Sequence, residues 1–123
     1  MCSSVKNFVD SLNNCWIDLN CENIEAYFDQ NIVMTSPDLS TKLNGVDVIA
    51  DSYRSFVSAA EIGEFKIISE QEVSLKSNSI YVYDFRIKYK MDEKSFDETG
   101  RESLLIDTST PKYKVLWRGI TFK

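Results

Sequence analysis

The sequence predicts an α+β fold, with helices packed on one face of an antiparallel sheet. Three observations predict it. Apolar residues recur at three- and four-residue steps through the first sixty positions. After Gly63 the period changes to two. Short turn sequences, Ser77-Asn78 and Ser109-Thr110-Pro111, then separate the alternating segments. Helices first and strands afterwards is the order of an α+β chain.

The elements follow in chain order. Val5, Phe8, Val9, Leu12, Trp16 and Leu19 form one face of an amphipathic helix from about Ser4 to Leu19, with Ser3 or Ser4 as its cap. Asn20–Asn23 reads as a break. Ile24, Tyr27 and Phe28 mark a short second helix that fades near Gln30-Asn31. Ile32–Ser36 is β-branched and apolar, a strand ended by Pro37. Asp38–Asn44 is polar and reads as a loop. Gly45 opens a third helix, with Ile49, Tyr53, Phe56 and Val57 on one face, ending near Ala60.

Four main strands are expected after that. Phe65 to Leu75 alternates. Ile80–Met91, reading IYVYDFRIKYKM, alternates most clearly. Tyr81, Tyr83, Phe85, Ile87 and Tyr89 share one face, and Asp84, Arg86, Lys88 and Lys90 share the other. A buried tyrosine hydroxyl wants a partner, so three tyrosines on the inner face point to a cavity wall. Asp92–Gly100 reads as a charged connection, partly strand. Glu102–Asp107 and Tyr113–Thr121 complete the set.

Bulk properties narrow the function. The 123 residues suit one domain, residues 1–123. The net charge of −5 argues against a nucleic-acid partner. Residues 1–60 hold 8 acids and 3 bases, and residues 61–123 hold 11 of each, so the acidity sits in the first half. No apolar run approaches the roughly 20 residues that span a bilayer, and the N-terminus does not read as a signal peptide. Three cysteines without a framework (Cys2, Cys15 and Cys21) fit a reducing, cytoplasmic setting. Histidine is absent, which removes the commonest general base and metal ligand. No metal or cofactor is expected.

Four local patterns stand in a familiar order: WIDLNCENIEAYF, NIVMTSP, NGVDVIADSYRSF and KYKVLWRGIT. Together they resemble the nuclear transport factor 2-like superfamily, also called SnoaL-like, ketosteroid isomerase-like or cystatin-like, over almost the whole chain. The resemblance implies a cone, a curved mixed sheet wrapped around a long first helix, with three helices, four main strands and one strand between the second and third helices. It also implies a pocket at the open end for a small hydrophobic or amphipathic molecule, and a homodimer through the outer sheet face. The pocket would be lined by Trp16, Met34, Ser36, Tyr53, Phe56, Tyr83, Phe85, Leu104 and Trp117.

The chain departs from the superfamily's catalytic patterns. Ketosteroid isomerase-like members carry a general-base aspartate before the proline that ends the first strand; here Ser36 stands there. Cys15 or Trp16 falls where those enzymes place an oxyanion-binding tyrosine. Tyr113 and Trp117 stand in place of a tryptophan followed by histidine. Glu102 is the candidate general base if it points inward, and a solvated edge residue beside Arg101 if it does not. Tyr83, Phe85 and Trp117 are ligand-stacking candidates or plain core aromatics. Arg86, Lys88, Lys90, Lys114 and Arg118 read as solvated or dimer-facing charges.

The expected function is therefore the binding of a small hydrophobic or amphipathic ligand in an aromatic pocket. The alternatives are an isomerase, dehydratase or cyclase using an inward carboxylate and a tyrosine, and a dimeric protein-interaction module with Ile68, Ile80, Val82 and Leu105 on its outer face.

Overall fold

The computed structural model describes residues 4–18, 21–35, 40 and 42–122. Helix α1 spans Ser4–Ile17, and a four-residue 3-10 turn spans Ile24–Tyr27. Strands β1 (Phe28–Thr35) and β2 (Lys42–Asn44) precede helix α2 (Val46–Ala59). Strands β3 (Ala60–Ser74), β4 (Asn78–Met91), β5 (Lys94–Asp107) and β6 (Lys114–Phe122) follow. They form one six-stranded sheet in the order β2-β1-β6-β5-β4-β3. Only the β1–β6 pair is parallel, so the sheet is mixed and the fold is α+β, as expected.

The helix α1 buries Val5, Val9, Leu12 and Trp16. Its residues touch both flanks of the sheet. Trp16 meets Phe65 of β3 with ring centroids 4.9 Å apart. On its other side Ser4 shares a hydrogen bond with Tyr113, and Ser11 with Tyr27. The sheet therefore curls around α1, and the inward side chains of the strands close on the helix as the core.

Two expectations change and a third, the partly stranded charged connection, is sharpened. The second helix is only the 3-10 turn, because Phe28 already has extended backbone (φ −117°, ψ 143°) and begins β1 with its ring buried. Among the described residues two α-helices stand where three were expected. Part of the segment expected as a loop, Lys42–Asn44, pairs with β1 at Val33–Thr35. The charged connection is strand from Lys94 onward. Asp92 and Glu93 both take positive φ (53° and 66°), a two-residue hairpin turn, and β5 runs back along β4 in unbroken register. Its polar residues are held by cross-strand partners, such as the fork from Arg86 to Asp97 at 2.9 and 2.7 Å and the stack of Tyr89 on Phe96.

Bulges decide which face each side chain takes. An extra residue, Ile68, sits in β3 between the Ile67–Phe85 and Ser69–Asp84 pairs. Leu116 is likewise extra in β6, between the Leu105–Trp117 and Ile106–Val115 pairs. Each bulge shifts the alternation by one. Val73 becomes outward and 55% exposed. On β6, Val115 is inward, yet Trp117 faces out and Arg118 faces in. Trp117, expected in the pocket lining, is thus corrected to the outer face. Trp117 lies over Gly119 on the outer face and donates from Nε1 to Thr35 Oγ1 at 3.2 Å.

Among the described residues, no helix is long and apolar enough to cross a membrane.

Candidate functional site

Inward residues of the sheet form rows in register. Phe85, Gly100 and Phe122 make one row, Tyr83, Glu102 and Ile120 the next, and Tyr81, Leu104, Arg118 and Met34 the third. Gly100 is a flat spot in the first row. A Cβ there would lie 2.7 Å from Cζ of Phe85 and 2.6 Å from the Thr121 carbonyl, so its absence lets the Phe85 ring lie across the sheet.

Between these rows, α1 and α2 lies a cavity of about 250 Å³. Its buried wall is Asn13, Trp16, Tyr53, Tyr83, Phe85, Ile87, Glu102 and Arg118; half-buried Met34, Phe56, Phe65 and Tyr89 and exposed Phe122 stand toward solvent.

The expected residues divide. Trp16, Met34, Tyr53, Phe56, Tyr83 and Phe85 border the cavity together, with Glu102. Leu104 does not: it is fully buried in the core between Tyr81 and Arg118. Trp117 does not either, because the bulge at Leu116 turns it outward. Ser36 lies outside the described residues. Arg118, read as a solvated charge, is the main residue that the sequence reasoning missed. The strand alternation assigned it to the outer face, and no glycine or proline marks the bulge that moved it. Asn13 was also missed; it sits one turn before Trp16 on the same helix face, a spacing that could have drawn it in.

The polar groups form a buried chain. Tyr83 donates to Glu102 Oε1 at 2.6 Å. Arg118 donates to Glu102 Oε2 from Nε at 2.7 Å, with Nη2 at 2.6 Å from the same oxygen. Trp16 donates to Asn13 Oδ1 at 3.0 Å, and Asn13 Nδ2 donates to the Tyr83 hydroxyl at 3.4 Å. Glu102 and Arg118 are only 3% and 9% exposed, and they are the charged side chains among those lining the cavity. The guanidinium stands 4.7 Å over the Tyr53 ring centroid, a cation–π contact. Tyr53 Oη is buried with no hydrogen-bond partner, alone in this among the described buried side-chain polar atoms.

Environment sets the protonation of these groups. Burial, and then the Glu102 charge, hold the Tyr83 phenol well above its ordinary range. Burial also raises Tyr53, against the opposing pull of Arg118. Desolvation favours the neutral form of Arg118, but the Glu102 carboxylate outweighs it and the guanidinium is held above its usual value. Burial, with a hydrogen bond to Glu98, pushes Tyr89 at the cavity edge up to about 12. The tyrosines here are neutral hydroxyls that can donate, and Glu102 accepts from Tyr83 and Arg118. Among the described residues no cluster of three or more His, Cys, Asp or Glu side chains is arranged to hold a metal.

No family model and no curated protein matches the chain. Solved structures do. An NTF2-like protein from Cytophaga hutchinsonii superposes with a TM-score of 0.79 at 13% identity, over 95% of this chain and 93% of that one. An NTF2-like protein of unknown function in nutrient uptake from Rhodospirillum rubrum gives 0.80 at 10% identity, over 98% and 99%. A ketosteroid isomerase-like protein from Erwinia carotovora atroseptica gives 0.75 at 10% identity, over 96% and 92%. Identities this low carry the fold and no activity. With its curled mixed sheet closed around α1, the chain has the nuclear transport factor 2-like fold.

Proposed function

We propose that the protein binds a small, largely apolar molecule in the cavity between α1, α2 and the inner sheet face. The observation that carries this is the open cavity itself, walled mainly by aromatic and aliphatic side chains. At about 250 Å³ the space lies just below the roughly 300–1,000 Å³ of typical ligand sites, so the occupant is small. Aromatic walls at Trp16, Phe56, Phe65 and Phe85 suit a flat apolar body. Among the described residues Cys15 and Cys21 are free thiols, which fits a reducing cytoplasm as the setting.

Filling the space tests the reading. Ile120 borders the cavity half-buried, so Ile120→Trp places an indole in it. A panel of one- and two-ring apolar compounds should raise the melting temperature of the wild type and leave Ile120→Trp unmoved. A wild type that no member of the panel stabilises would remove the proposal.

One further observation favours an enzymatic reading: Tyr83 and Glu102, 2.6 Å apart, are the tyrosine–carboxylate pair that an isomerase, dehydratase or cyclase needs. Binding is preferred because both Glu102 oxygens are already engaged, by Tyr83 and by Arg118. Exchange of an acidic carbon-bound proton for deuterium in the presence of protein, abolished by Glu102→Gln, would reverse that preference.

A homodimer through the outer sheet face is proposed alongside. Val73, Ile80, Leu105, Trp117 and Val33 stand opposite one another across five strands and make an apolar row on that face. The ion pairs Asp84–Arg101 and Arg86–Asp97 keep it locally neutral, so two copies do not repel.

A further inference from the structure

Gly100 is buried in the middle of β5, in the row that also holds Phe85 and Phe122. A glycine inside a strand weakens it and marks a close approach. Its backbone is not the reason for it, since Gly45 alone among the glycines takes positive φ. What Gly100 supplies is space. A Cβ there would stand 2.7 Å from Cζ of Phe85, closer than side-chain carbons approach.

The Phe85 ring is flanked on its other sides. Phe65 stacks on it with centroids 5.7 Å apart, Phe122 meets it edge-on at 5.9 Å, and Tyr83 is tilted to it at 6.1 Å. The open side is the cavity, which Phe85 borders. A ring lifted off position 100 moves into that space and takes volume from a ligand, because a packed wall has no other room to give. The volume sets the scale. An apolar cavity of roughly 150 Å³ holds one benzene. About 250 Å³ leaves room for a second ring while Phe85 lies recessed. Glu102 and Arg118, the charged side chains of the lining, are paired with each other at 2.6 Å, so the ligand needs no charge to match them.

We propose that Gly100 is the specificity-determining position of this cavity. By letting Phe85 lie recessed it admits an uncharged fused two-ring molecule, and a side chain at 100 would restrict the cavity to a single ring. This rests on the ligand-binding reading above and adds the size class of the ligand and the residue that sets it. Gly100 acts through Phe85 and is a positioning residue.

Naphthalene and benzene, each titrated into the full chain by ligand-observed NMR, test it. The wild type should bind naphthalene about tenfold more tightly, since the second ring buries further apolar surface. Gly100→Ala should lose that tenfold for naphthalene and leave benzene unchanged. The double variant Gly100→Ala, Phe85→Leu removes the ring that the new methyl displaces and should restore naphthalene, a rescue that a merely loosened sheet would not show. The methyl also meets the Thr121 carbonyl at 2.6 Å, so Gly100→Ala loses stability as well. If it does not fold, Phe85→Trp decides: a larger ring over the same notch should give the same selective loss. Naphthalene bound by either variant as by the wild type overturns the proposal, as does an equal loss of both compounds or a loss that the double variant does not restore. Wild-type binding of benzene as tight as naphthalene overturns the size assignment and leaves the cavity a ligand site. No binding of either compound by the wild type overturns both.

Discussion

Glu102 shows how one residue's role depends on its partners. In an apolar cavity it would be a desolvated general base; beside Arg118 it is half of a buried ion pair that also accepts from Tyr83. Such a pair is weak evidence for stability in itself, yet breaking it is costly, because the survivor is a buried unpaired charge. Glu102→Leu should therefore lose about 3–5 kcal/mol of unfolding free energy, and the double variant Glu102→Leu, Arg118→Met should recover most of the loss. Urea unfolding of the two singles and the double measures this. Additive losses would mean that the pair is not coupled as the geometry requires. Tyr53 is the opposite case, since removing its unsatisfied hydroxyl costs the free protein nothing in hydrogen bonding.

At the scale of elements, turns and bulges govern the site more than the helices do. The β4–β5 turn places two ordinary residues, Asp92 and Glu93, at positive φ, where an L side chain costs about 1–2 kcal/mol each. Glycine at the second position relieves part of that strain, so Glu93→Gly should stabilise the protein by about 1 kcal/mol, read as a shift in the urea midpoint at constant slope. A loss of stability would mean that the side chain of Glu93 contributes more than its backbone costs. The bulge at Leu116 matters more for function. Without it, Trp117 would face the cavity and Arg118 the solvent, leaving Glu102 as a buried carboxylate without its cation.

At the scale of the whole molecule, the curled sheet has two working faces. The inner face closes on α1 and leaves the cavity; the outer face carries the apolar row from Val73 to Val33. Leu105 is central to that row, and its side chain points away from the core, so a charge there should not unfold the monomer. Leu105→Lys is expected to convert a dimer to a monomer in sedimentation equilibrium, with an unchanged circular dichroism spectrum. A wild type that is monomeric at every concentration tested would remove the dimer.

Much of this was legible in the sequence. Alternation in Ile80–Met91 placed Tyr81, Tyr83 and Phe85 inward, and the helical spacing placed Trp16, Tyr53 and Phe56 on buried faces, because those periods follow directly from strand and helix geometry. The order of helices and strands carried the α+β class for the same reason. What the tertiary structure alone decided is everything downstream of a bulge. A single extra residue inverts the faces of a strand, and Ile68 and Leu116 look like any other strand residues. Register also turned the charged segment after Met91 into strand, through cross-strand pairs that no local pattern contains. The sequence by itself determined an aromatic inner wall. Only the register of β6 on β5 set Arg118 into that wall beside Glu102, because pairing across strands is fixed by contacts far apart in the chain.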